Sequence, residues 1–165
     1  MLIAVISDIH DNLETLKKCL AWCGNNKINS LICCGDITTI ETITYLARNF
    51  SGEIFVVSGN AEIYEEKDIK KFKNINFYGE IAINEINGVN IGFCHEPEKI
   101  KNVQELSPLD LDFIFYGHTH KPWLEKRGTT LVVNPGTLGG IFYQATFAVL
   151  DSDAKNLSLK IVADL

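Results

Sequence analysis

All four histidines of the chain stand where they could hold a metal ion. His10 closes the triplet Asp8-Ile9-His10, His95 follows an apolar run, and His118 and His120 flank Thr119. Asp36 after Gly35 and Asn60 after Gly59 add two oxygen donors, again at the ends of apolar runs. Imidazole and carboxylate are the ligands that divalent first-row metals prefer. A single such histidine is more often a surface or hydrogen-bonded core residue, and a single aspartate more often a helix cap or turn residue. Taken together, the donors suffice for two cations, and the chemistry they predict is two-metal hydrolysis.

Donors so far apart in sequence need a scaffold that brings them to one edge. Leu2 to Ile6, Ser30 to Cys34, Glu53 to Val57 and Asp112 to Tyr116 are short apolar runs that end in a polar residue or glycine, the pattern of buried strands entering loops. Asn12 to Cys23 carries Leu13, Leu16, Leu20 and Cys23 at helical spacing, with Asp11 and Glu14 as a capping box at its start, and Ile40 to Arg48 forms a second helix. Strand and helix alternate over this first part, which implies a parallel sheet with right-handed crossovers. Beyond Ile75 the pattern changes to strands at Ile81 to Ile86, Val89 to Cys94, Thr129 to Asn134, Phe142 to Leu150 and Asn156 to Val162. Asn87-Gly88 is a hairpin turn between the first two. The expectation is an α/β chain with two facing mixed sheets in a single domain, residues 1–165. In open α/β sheets ligands bind beyond the carboxyl ends of the strands, and each donor lies there. Glycine precedes three of them, at Gly35, Gly59 and Gly117, as suits positive φ or close backbone approach.

Composition narrows the partners. With 165 residues, of which 46% are hydrophobic, the chain can bury one substantial core. No apolar run approaches a membrane span and no signal-like segment is visible, so a cytoplasmic protein is expected, with no membrane partner. The five cysteines form no C-x-x-C pair, and Cys33-Cys34 sits inside an apolar run, which suits a reduced compartment rather than a disulfide framework. A formal net charge of −6 argues against extended nucleic acid as a partner. A small domain of this kind can associate into a homo-oligomer through an antiparallel edge, although no surface stripe in the sequence establishes it.

The ordered set Asp8-x-His10, Gly35-Asp36, Gly59-Asn60, His95 and Gly117-His118-Thr119-His120 resembles the calcineurin-like metallophosphoesterases, in particular the small single-domain phosphodiesterase branch related to the retromer subunit Vps29. Asn134-Pro135-Gly136-Thr137 resembles a turn that recurs behind the same site. The resemblance implies a four-layer α/β/β/α sandwich. It also implies roles: Asp8, His10 and His120 on a first metal, Asn60, His95 and His118 on a second, and Asp36 bridging both. Cations about 3.5–4 Å apart need a shared carboxylate, and a bridging water then ionises near neutral pH and attacks phosphorus in line. Asn60 can also donate its amide to a phosphoryl oxygen, and the catalytic residues implied are Asp36, Asn60 and His95. Manganese is the first choice of metal, with nickel, iron, cobalt, zinc or magnesium as alternatives.

Two departures bear on the substrate. Many relatives carry a histidine after the asparagine, able to protonate a leaving alkoxide, but here the residue is Ala61, followed by Glu62. Lack of that acid favours good leaving groups and a small phosphodiester, in one case a cyclic nucleotide, over a monoester. Glu62 is the one carboxyl that could take the acid's place, though such a carboxyl is more often solvated or a cap. Glu96 stands where relatives often have glycine and adds negative charge beside the site. The alternatives are a phosphomonoesterase of the same family and a non-catalytic, Vps29-like protein-binding scaffold. Against the scaffold, no ligand is replaced. Asn12 matches a position near phosphate in relatives, Cys94 reads as core, and Trp123 is a candidate to line the cleft beside His120, although core packing is its commoner role.

Overall fold

The residues of the first strand, β1 (Leu2–Ile6), are buried from Ile3 onward on both faces, so the sheet it belongs to must be covered on both sides. The computed structural model describes residues 1–165. After β1 come α1 (Leu13–Asn25), β2 (Ser30–Cys33), α2 (Ile40–Asn49), β3 (Glu53–Val56), α3 (Glu66–Ile69), β4 (Ile75–Phe77), β5 (Ile81–Ile86) and β6 (Val89–Cys94). Then follow α4 (Ile100–Leu106), β7 (Phe113–Phe115), β8 (Trp123–Arg127), β9 (Thr130–Asn134), β10 (Thr146–Asp151) and β11 (Asn156–Ile161). None of the helices is long and apolar enough to cross a membrane.

The strands form two mixed sheets. One has six strands in the order β11-β10-β1-β2-β3-β4, parallel from β1 to β4 and antiparallel at β10 and β11. The other has five in the order β5-β6-β7-β9-β8, with β6, β7 and β9 parallel between two antiparallel edges. The period-two alternation of side chains divides the core into layers. Ala4, Ile6, Leu31, Cys33, Ile54 and Val56 point towards α1 and α2, where Leu16, Leu20, Ile43 and Leu46 cover them. Ile3, Val5, Ile32 and Phe55 point the other way and meet Ile91, Phe93, Phe113 and Phe115 of the second sheet. The outer face of that sheet, with Ile114 and Val132, is closed by Ile100 and Val103 of α4. The result is the expected four-layer α/β/β/α sandwich.

Several expectations are corrected in detail. Helix α1 is capped by Asn12, whose Oδ1 accepts from Thr15 N at 3.3 Å. Asp11 instead turns towards α2 and accepts from Thr39 N at 3.2 Å, Thr39 Oγ1 at 2.6 Å and Thr42 Oγ1 at 2.5 Å. Asp11 therefore anchors the start of the second helix, not the first. Its expected partner Glu14 is exposed and pairs with Lys18 at 3.1 Å. Strand β10 begins at Thr146, because Phe142 takes a φ of 64° in a loop and cannot continue a ladder. The edge strand β8 is new to the reading, and so are β4, α3 and α4. All five cysteines are buried and unpaired.

Candidate metal centre

The donors leave strands of the parallel core and enter loops, and at five of the seven the backbone is unusual. Asp8, His10, Asp36, His118 and His120 all have positive φ, between 46° and 66°. Non-glycine residues pay steric strain there, and they persist only where the surroundings over-determine them. A mesh of loop-to-loop backbone hydrogen bonds provides that constraint. Asp8 N donates to Gly35 O, Ile9 N and His10 N to Asp36 O, Gly117 N to His95 O, and Gly139 N to Asp8 O, at 2.9–3.1 Å. The glycines serve this close packing. Gly35 has a φ of +95°, and a Cβ at Gly59 would lie 2.0 Å from Asp36 Oδ1. Gly117 is another close approach, and neither it nor Gly59 has positive φ.

The seven donors converge. Asp8 Oδ1 lies 3.2 Å from His120 Nε2 and 3.9 Å from His10 Nε2, and those two imidazole nitrogens face each other at 3.1 Å. Asp36 Oδ2 lies 3.6 Å from His10 Nε2 and 3.3 Å from His95 Nε2, so this carboxylate touches a histidine from each predicted trio. Asn60 Oδ1 sits 3.0 Å from His95 Nε2 and 2.8 Å from His118 Nδ1. Two groups of donors lie close enough to share an ion: Asp8, His10 and His120, and Asp8, Asp36 and His95. Asp8, Asp36 and His95 form a buried floor, whereas Asn60 and His118 are exposed and leave one side open to solvent.

Neighbouring groups aim the ring nitrogens. His95 Nδ1 donates to Cys34 O at 2.7 Å and His120 Nδ1 to Ile141 O at 3.3 Å, which leaves both Nε2 lone pairs turned into the site. This is the carbonyl support that metal-binding histidines use. Burial lifts the Asp8 carboxyl above the usual carboxylate range, although His95 and His120 oppose it. For Asp36, burial is outweighed by the hydrogen bond and charge of His95 and by the Ala61 N–H, which donates to Oδ1 at 2.9 Å, and its carboxyl is held below that range. His95 loses basicity to burial but gains more from Asp36 and is raised. Acidic and imidazole groups packed so tightly repel or compete for protons, and a divalent cation relieves both. The donor set therefore fits metal.

Residues outside the seven have other work. Asn12 donates to Gly139 O at 2.8 Å, so its amide is held by the protein, not aimed at phosphate. Glu62 is half-buried and is not a helix cap. Its carboxylate accepts from Thr38 N at 2.8 Å, Gly59 N at 3.2 Å and Ile37 N at 3.3 Å, and ties the Asp36 loop to the Asn60 loop. No local sequence signal marks that clamp, because its partners lie across the fold. Glu96 pairs with Lys99 at 2.8 Å, which offsets its charge. Cys94 is core, its thiol pushed up by burial. Thr137 Oγ1 donates to Asp8 O at 2.9 Å, and Asn134 Nδ2 to Gly117 O and Thr119 Oγ1, so the Asn134 to Thr137 turn braces the site from behind.

The calcineurin-like phosphoesterase superfamily domain matches residues 1–155. A phosphodiesterase of Methanocaldococcus jannaschii is 26% identical over 94% of this chain and 95% of its own length. Among solved structures, an archaeal phosphodiesterase superposes with a TM-score of 0.86 at 24% identity, covering 98% of this chain and 99% of that one. Vps29 of Entamoeba histolytica in complex with zinc superposes with a TM-score of 0.70 at 22% identity, covering 97% and 96%. These structural likenesses concern the fold. With a family match over nearly its whole length, the chain belongs to the calcineurin-like phosphoesterase superfamily.

Proposed function

We propose that this protein is a metal-dependent phosphodiesterase acting on a small phosphodiester, with two divalent ions held by Asp8, His10, Asp36, Asn60, His95, His118 and His120. The observation that supports it most is the placement of Asp36 Oδ2 within 3.6 Å of His10 Nε2 and 3.3 Å of His95 Nε2, where one carboxylate can serve two ions. Asp8, His10 and His120 would hold one ion and Asn60, His95 and His118 the other. Such a pair supplies Lewis acidity to the phosphoryl oxygens and lowers the pKa of water to near neutrality. The chain's own residues fix the geometry: Ala61 N–H and Glu62 hold Asp36 and its loop, while the Cys34 and Ile141 carbonyls orient His95 and His120. At the open side, Asn60 would also donate its amide to a phosphoryl oxygen.

Ala61 cannot protonate a leaving group, and Glu62 is occupied by backbone amides, so the site has no acid in that loop. Good leaving groups are thus favoured, and diesters over monoesters. Manganese is the first choice of ion, although mixed imidazole and carboxylate ligands also fit nickel, iron, cobalt or zinc and availability decides among them; the working location is the cytoplasm. A second reading, a protein-binding scaffold, draws on an apolar groove of about 260 Å³ between the sheet edges, lined by Pro122, Trp123, Leu124, Leu157 and Leu159. The complete donor set favours the enzyme.

The test is hydrolysis of bis-p-nitrophenyl phosphate against p-nitrophenyl phosphate by metal-stripped protein with manganese or nickel restored, with Asp36→Ala as control. Diester turnover that requires metal and vanishes in Asp36→Ala supports the proposal. Faster monoester turnover overturns the diester preference, and bound metal without turnover of either ester favours the scaffold.

A further inference from the structure

Beside the metal centre the protein exposes aromatic surface that contributes nothing to its core. Phe142 is 89% exposed and has a φ of 64°, two unfavourable conditions for a large apolar residue. Its ring lies 5.8 Å from that of His120, tilted by 31°. The preceding carbonyl, Ile141 O, accepts the hydrogen bond that orients His120, so this loop is fastened to the metal centre. Tyr143, 46% exposed, lines an adjoining cavity of about 340 Å³ together with Tyr116, Thr119, Lys121 and Trp123. Thr119 and Lys121 flank His120 in the chain, so the cavity opens next to the donors. Lys121 Nζ stands 5.5 Å from the Trp123 ring and brings positive charge to a negatively charged protein.

We propose that Phe142 and the Tyr143–Trp123–Lys121 cavity form a stacking subsite for a planar, nucleobase-like substituent on the substrate phosphodiester. The inference rests on the phosphodiesterase reading and narrows it to diesters with one nucleoside-like arm. A flat ring set against Phe142 removes from water a face that the fold leaves bare, and base-on-aromatic stacking tolerates any base. Thr119 and Lys121 can meet polar edges or a further phosphate. The phosphoryl group then lies over the donors, with the second ester arm towards solvent.

The experiment holds the leaving group constant and varies the retained arm. Metal-loaded protein is given thymidine 5′-p-nitrophenyl phosphate and methyl p-nitrophenyl phosphate, and kcat/KM is measured for wild type, Phe142→Ala and Phe142→Tyr. Phe142 is too exposed for either change to unfold the chain. Stacking of one base is worth about ten- to a hundredfold, so wild type is expected to prefer the thymidine ester by that order. Phe142→Ala loses the preference, read within each variant as the ratio of the thymidine ester to the methyl ester, through the KM for the thymidine ester, and Phe142→Tyr keeps it. Binding of thymidine 5′-monophosphate against methyl phosphate, measured by calorimetry, gives a readout independent of turnover. Hydrolysis of both esters with no preference, or a preference that survives Phe142→Ala, overturns the subsite and leaves the phosphodiesterase reading intact. Phe142-dependent nucleotide binding without hydrolysis supports the subsite and overturns the catalytic reading.

Discussion

Replacing Glu62 separates a clamp from an acid. Its carboxylate accepts one short hydrogen bond, 2.8 Å from Thr38 N, and two longer ones, 3.2 Å from Gly59 N and 3.3 Å from Ile37 N. A hydrogen bond to a charged acceptor contributes about 1.5–3 kcal/mol, and the longer pair, near the limit of good geometry, roughly 0.5 kcal/mol each. Because Glu62 is only half-buried, water replaces part of the loss, so Glu62→Ala is expected to cost about 2 kcal/mol. For a domain of this size that lowers Tm by about 4–8 °C. The bonds join the residues after Asp36 to the residue before Asn60, so loosening them spreads the donors and weakens metal binding about tenfold. Glu62→Gln keeps one carbonyl for Thr38 N but turns an amide towards another N–H, and it should fall between wild type and Glu62→Ala. The assays are thermal unfolding of the stripped protein, a manganese titration, and the pH profile of kcat. If Glu62→Gln melted and bound metal like wild type yet lost the alkaline fall in kcat, Glu62 would be the general acid and the clamp argument would be refuted.

Other outcomes follow from the same geometry. In the metal-stripped protein the raised His95 contributes stability that is complete below its ordinary pKa of 6.5 and lost as pH rises through its folded value; the raised Asp8 acts in the same direction, from its ordinary 3.8. The depressed Asp36 contributes above 3.8 and loses its contribution as pH falls through its folded value. Stripped protein should therefore lose Tm towards alkaline pH, and manganese should restore it, by about 3 kcal/mol at a hundredfold excess over Kd; a flat difference between the two melting profiles across pH would contradict this. Gly59→Ala places a Cβ 2.0 Å from Asp36 Oδ1 and should abolish metal uptake, which elemental analysis of the purified variant would show. Ala61→His supplies a proton donor and should raise turnover of esters with a poor alkoxide leaving group, relative to p-nitrophenyl esters, by about tenfold or more. Asp11→Ala removes the anchor of α2 and should cost about 1–2 kcal/mol in thermal unfolding without changing manganese affinity.

The sequence reveals the donors because each stands where a buried strand stops. That boundary is a local signal, and it puts Asp8, Asp36 and Asn60 beyond the carboxyl ends of strands in one sheet and His95 and His118 beyond those in the other. The hairpin at Asn87-Gly88 is equally local, and both residues take the expected positive φ, 53° and 77°. Legibility fails where a side chain chooses a distant partner. Asp11 looks like the cap for α1, and only the arrival of Thr39 beside it shows that it serves α2 while Asn12 caps α1. Edge strand β8 escapes notice because Glu125-Lys126-Arg127 is charged and lacks alternation, as protected edges often do. Phe142 misleads in the opposite sense. Its aromatic neighbourhood has strand propensity, but the loop holds it out in solvent.

The mesh that joins the donor loops is made of main-chain groups, which no substitution other than proline removes. A histidine or aspartate can therefore be exchanged while Ile9, His10 and Gly117 keep their amide partners and the loops keep their course. Over generations, such a lineage can shed its metals one side chain at a time and still inherit the same shape. Catalysis in this architecture is a removable layer, and a binding role can take over the surface without any change of scaffold.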